Sequence, residues 1–247
     1  MAIRGGRSTR LSVGSESPSA VSLEMLRQQI AQLETSRRSE QTVVSTGCPG
    51  LDRRLPRGGL PRGTLVEWLA AQSGSGAETL SLFSAREAIR QGGPLVVLDR
   101  SRDFCPPAAV RLGIAAPLLI VVQPGKSADM LWALDQSLRC PGVGAVLAWL
   151  EKIDSRTFRR LQLAAEQGGG LGLLLRPAAA RHEPSWAEIR FGIEPRPSKS
   201  PRRRMRIELL RVRGGKEGEI FDVEIDDETH TLHLAPRVEP RRQIRGA

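Results

Sequence analysis

The segment Ser73-Gly74-Ser75-Gly76-Ala77-Glu78-Thr79 has the glycine spacing of a loop that cradles phosphate. It stands where such a loop acts, after the apolar run Leu65–Leu69 and before a helix predicted over 77–90. Binding a nucleoside triphosphate there takes a lysine that reaches the β and γ phosphates and a following hydroxyl that holds magnesium. Those two positions read Ala77 and Glu78. Alanine brings no charge, and a carboxylate at the magnesium position repels the triphosphate that a helix N-terminus would otherwise attract. Glu78 is expected to complement the helix dipole instead, a contribution of about 0.3 to 1 kcal/mol. Gly74, Ser75, Gly76, Ala77, Glu78 and Thr79 therefore read as a vestigial phosphate loop, a retained turn without nucleotide.

Phosphoryl transfer also needs a metal-positioning acid at the end of a central strand. The run Val143–Leu147 leads instead into Ala148, Trp149 and Leu150. Lys152 is the candidate substitute for the missing lysine, against the ordinary reading of a solvated charge. Asp99 and Asp103 lie near Ser101 with no histidine beside them, so no nucleophilic or acid-base set assembles. His230 and His233 are read onto opposite faces of one strand and cannot share a metal. Cys48, Cys105 and Cys140 are widely spaced, and they are read as buried, reduced thiols rather than a disulfide framework or zinc site. Trp68, Trp132, Trp149 and Trp186 sit in apolar contexts and are assigned to the core. The residues thus assign no catalytic group, no metal and no cofactor.

The formal charge of +10 is unevenly placed. Segment 1–20 carries a net +2, 195–206 a net +6 and 237–247 a net +3, which leaves the remainder near neutral. Arg202, Arg203, Arg204 and Arg206, with Arg241, Arg242 and Arg245, are the candidate contacts to DNA or to a partner. Arginines in Pro, Ser and Gly-rich sequence fit phosphates and acidic protein surfaces equally well. The first 20 residues lack the apolar stretch of a secretory signal, and no run approaches the roughly 20 apolar residues that span a bilayer, so a cytoplasmic protein is expected.

These residues must be positioned by alternating elements. The sequence predicts strands over 95–99, 118–122, 143–150 and 171–176, with helices over 128–139 and 155–167 between them. Ser127 is the expected N-cap of the first and Gly168 the stop of the second. Strands this continuously apolar, such as Leu118-Leu119-Ile120-Val121-Val122, form a parallel sheet covered by helices on both faces. Beyond Arg176 the pattern turns to alternating strands over 189–193, 205–211, 219–225 and 231–234, read as antiparallel additions, with 195–204 an exposed hairpin loop. Residues 1–42 form a flexible N-terminus holding one amphipathic helix (Leu23, Leu26, Ile30, Leu33), 43–236 the core with its basic loop 195–206, and 237–247 a basic disordered tail.

Thr46-Gly47 with Leu51-Asp52, then Gly58-Gly59-Leu60-Pro61-Arg62-Gly63-Thr64-Leu65-Val66-Glu67, resembles the lead-in to the RecA nucleotide loop, and Leu98-Asp99-Arg100-Ser101 resembles the second-strand region, where the family's catalytic glutamate would fall near Ser101. Four further runs resemble ImuA, the RecA-like component of a mutagenesis cassette: residues 133–140, 160–166 and 172–176, and Glu208-Leu209-Leu210-Arg211-Val212-Arg213-Gly214-Gly215. The resemblance spans about 46–234. It implies a RecA-like α/β core with a mostly parallel sheet flanked by helices and antiparallel C-terminal strands. It also implies an SOS-induced accessory protein of translesion synthesis beside ImuB, an inactive Y-family polymerase relative, an error-prone replicative-type polymerase and RecA. In RecA, loops after the last parallel strands hold DNA; here 177–185 is short, with Arg181 and His182 its basic contacts. An alternative reading is a SulA-like inhibitor that binds the tubulin-like division GTPase, and the oligomeric state stays open.

Overall fold

A computed structural model describes residues 42–72, 74–198 and 200–235, together with Met25. The chain divides into two units, 1–41 and 42–247. The expected helix of Leu23, Leu26, Ile30 and Leu33 and the arginines at 241, 242 and 245 lie outside the described residues.

The second unit is built on a sheet of nine strands among the described residues, running β11-β10-β9-β8-β3-β7-β6-β4-β5. Its parallel part holds β3 (Leu65–Ala70), β4 (Leu95–Leu98), β5 (Leu119–Val122), β6 (Ala145–Trp149) and β7 (Leu171–Pro177). β8 (Ile189–Arg196) joins β3 in parallel, and β9 (Arg203–Val212), β10 (Ile220–Asp226) and β11 (Thr231–Leu234) extend the sheet antiparallel. Two short strands, β1 (Val43–Val44) and β2 (Leu60–Pro61), pair separately. Successive residues of a strand face opposite ways. Leu95 and Val97 thus join one core with Leu80, Phe83 and Ile89 of α2 (Ala77–Arg90), and Val96 and Leu98 join another with residues of α4 (Ser127–Arg139) and α5 (Ser155–Gly168). The short helices α1 (Pro49–Asp52) and α3 (Pro106–Arg111) complete the set.

Several expectations are corrected. β5 is the sheet's outer edge and is not covered on both faces: Ile120 is 46% exposed, and Leu118 belongs to a 3-10 turn before the strand. The N-cap of α4 is Lys126 rather than Ser127, while α5 does end at Gly168, with Gly169 beyond it in the left-handed conformation. Asp154 caps the start of α5, its Oδ1 accepting from Thr157 N at 2.9 Å. Cys48 is buried, and burial pushes its thiol up, but Cys105 and Cys140 are exposed. Trp68 is buried and stacks on Phe191 at 4.4 Å, whereas Trp132 is 66% and Trp186 42% exposed and neither is core. His230 sits at positive φ in the turn before β11, so His233 alone of the pair is on the strand.

The basic segment 195–206 is half strand: β8 runs to Arg196 and β9 begins at Arg203, so the exposed hairpin connection between them is shorter than expected. Acids on the partner strands zip it up. Arg204 Nη2 lies 3.0 Å from Asp222 and Arg206 Nε 3.6 Å from the same carboxylate, while Arg202 and Arg203 reach Asp226 and Asp227 at 3.1 and 2.6 Å.

Candidate functional site at the carboxyl edge of the sheet

Open α/β sheets bind ligands at the carboxyl ends of their strands, and the glycine-rich loop that ends at Gly76 lies there, between β3 and α2. Gly74 and Gly76 both adopt positive φ, 75° and 92°, and Gly76 is the N-cap of α2. Glycine is favoured at 76 by its left-handed conformation, and a Cβ there would also oblige the Met205 side chain of β9 to move. The turn is held by Ser75 N donating to Gln72 O at 3.1 Å and Leu80 N to Gly76 O at 3.0 Å.

Ala77 opens the helix with its side chain buried, and Glu78 follows in the first turn. Burial raises the Glu78 carboxyl above its ordinary pKa, and Asp99 and Asp103 raise it further. The expected match of Glu78 to the helix dipole is therefore outweighed: desolvation and two neighbouring carboxylates work against the ionised form. Asp99 follows β4 directly, buried, its two oxygens accepting from Asp103 N at 3.1 Å and Phe104 N at 3.2 Å, a turn-holding role. Ser101 is exposed in the loop beyond it, next to Arg102 at φ 64°. Trp149 ends β6 half-buried, its ring 6.1 Å from that of Phe104. Lys152 lines a groove with Leu131, Ile153, Asp154, Ser155, Glu183 and Pro184. The carboxyl edge thus gathers three carboxylates, those of Glu78, Asp99 and Asp103, beside the buried Ala77. Among the described residues no group of three His, Cys, Asp or Glu side chains is arranged to hold a metal ion.

The lead-in motif has a structural explanation. Asp52 Oδ1 accepts from Thr46 N at 2.8 Å and Thr46 Oγ1 at 2.7 Å, and its Oδ2 from Ser45 Oγ at 2.5 Å, pinning the turn at Gly47, whose Cβ would press on Phe83 of α2.

A second cluster was not found from sequence. Glu67, in the middle of β3, is fully buried between Arg176 of β7 and Arg190 of β8. Arg176 Nη1 donates to Glu67 Oε1 at 2.8 Å; Arg190 Nε stands 2.5 Å from Oε2 as an ion pair, out of line for a hydrogen bond; Ser185 Oγ donates to Oε2 at 2.7 Å. The signal was present: one charged residue inside each of three apolar runs demands a partner. Arg181, expected as a basic contact, is paired with Glu208 at 2.5 Å, and His182 closes the 3-10 turn Ala178–His182.

Comparison with known proteins agrees with this architecture. Residues 19–150 match the RecA N-terminal domain family. The solved structure of the RadB recombinase superposes with a TM-score of 0.62 at 16% identity, over 78% of this chain and 100% of that one, a likeness of fold. RecA of Laribacter hongkongensis is 37% identical over 114 residues, 46% of this chain but 32% of RecA. The protein ImuA of Caulobacter vibrioides is 34% identical over 207 residues, 75% of this chain and 85% of that protein. The chain is a RecA-like protein and belongs to the ImuA family.

Proposed function

We propose that this protein is a non-catalytic accessory factor of damage-induced mutagenesis, joining an ImuB-type inactive polymerase relative and an error-prone polymerase to RecA or DNA during translesion synthesis. The observation that carries it is the chemistry of the loop between β3 and α2: a buried Ala77 where phosphate binding asks for lysine, and a Glu78 whose neighbours are Asp99 and Asp103. Kinship with ImuA over most of that protein's length supports the mutagenesis setting over a division inhibitor of the SulA kind. The arginines at 202, 203, 204 and 206 are the proposed contacts to a protein partner, and those at 241, 242 and 245 the proposed contacts to DNA. The test is capture of the ImuB-family protein by the immobilised full chain with and without magnesium ATP. Equal capture in both supports the reading; capture that requires ATP, or none in either, overturns it.

A further inference from the structure

The segment 178–187 leaves β7 at the carboxyl edge and returns to β8. Beyond the 3-10 turn Ala178–His182, Glu183 N donates to Ala180 O at 3.0 Å and Ala187 N to Ser185 Oγ at 3.1 Å. Three arginines beneath it contribute more. Arg190 donates to Ala180 O at 2.6 Å, Glu183 O at 3.3 Å and Arg181 O at 3.4 Å; Arg211 donates to Ser185 O at 2.6 Å; Arg176 donates to the Glu183 carboxylate at 2.5 Å.

We propose that Glu67, Arg176 and Arg190 form a latch that sets 178–187 as a rigid strap in the protein without any ligand, with Glu183 as its releasable end. The charge count gives the reason. Arg176 and Arg190 are two cations below the surface, and Glu67 supplies one negative charge within the sheet. The second negative charge comes from Glu183, on the strap itself. Lifting the strap removes that carboxylate and four carbonyl acceptors together, and leaves Arg176 and Arg190 to share the single carboxylate of Glu67. The strap is thus held down by the joint loss of these partners, which keeps its exposed residues Arg181, His182 and Trp186 in one fixed arrangement. The latch stands whether or not the proposed partners are the right ones.

Amide exchange of the full chain tests it. In the wild type, the amides of Arg181, His182 and Glu183 are expected to be protected with no ligand added. Glu183→Gln, which leaves the Glu67–Arg176 pair intact, is expected to speed exchange across 178–187 by about tenfold while β3, β7 and β8 keep their rates. Glu67→Gln should act on the same amides more strongly, and Glu183→Asp should recover part of the protection. If Glu67→Gln does not fold, the two Glu183 variants decide alone. Strap exchange unchanged in Glu183→Gln, acceleration spread equally over β3, β7 and β8, or a strap unprotected in the wild type would each overturn the latch.

Discussion

Glu78 is where a single residue reports most on the carboxyl edge. Its pKa is raised in the folded chain, by burial first and then by Asp99 and Asp103, so the protonated carboxyl is the form the fold prefers. That preference contributes stability fully below the unfolded value of about 4.3 and fades as pH rises through the folded value. At neutral pH the ionised group therefore costs stability, discounted because the side chain is only partly buried. Glu78→Gln is expected to raise stability at pH 7 by no more than about 1 kcal/mol, a rise in Tm of about 2 to 4 °C, and to lose that advantage near pH 4; thermal melts at both pH values check it. Supplying a lysine and a hydroxyl with Ala77→Lys and Glu78→Thr is expected to give measurable magnesium ATP binding in calorimetry but no turnover. Trp149 and Ser101 would still stand where acidic groups must act.

Among the elements, α5 and α4 approach so closely at their C-terminal ends that one glycine is indispensable for space. A Cβ on Gly168 would lie 2.0 Å from Leu138 O, whereas Gly169, at φ 75°, has open space around it. Gly168→Ala is expected to destabilise by about 2 to 3 kcal/mol by forcing the helices apart, and Gly169→Ala by about 1 kcal/mol from its left-handed conformation alone; denaturant unfolding of the two variants should rank them so. The parallel strands were legible because Leu95–Leu98 and Leu171–Leu175 are apolar on both faces, a pattern that only a doubly covered strand sustains. The same pattern misplaced β5, since an edge strand packed on one side carries the same residues as a central one. Trp132 and Trp186 misled for a related reason: composition says what a side chain prefers, not whether a neighbour is there to cover it. Trp186 lies on the surface with its Nε1 donating to Ser155 Oγ at 3.1 Å and Arg159 over its ring at 4.9 Å.

For the whole molecule, charge is the property that sequence position alone described incompletely. The +6 of 195–206 is real, but β10 and the turn after it bring Asp222, Asp226 and Asp227 against it, a pairing set by register between strands some 20 residues apart. Arg202→Gln with Arg203→Gln is accordingly expected to change affinity for single-stranded DNA by less than about twofold, because carboxylates already hold both guanidiniums. Arg241→Gln, Arg242→Gln and Arg245→Gln together are expected to weaken whatever DNA binding exists and to flatten its dependence on salt, read from titrations at two ionic strengths. The position of the loop between β3 and α2, by contrast, was legible from the sequence, because its glycines follow an apolar strand and precede a helix. The most direct test of the account is calorimetric titration of the full chain with magnesium ATP, followed by a turnover assay with single-stranded DNA. No heat of binding and no phosphate release is the predicted result; binding with turnover would contradict the account and would mean that a cation elsewhere, Lys152 first, does the work expected of a lysine at position 77.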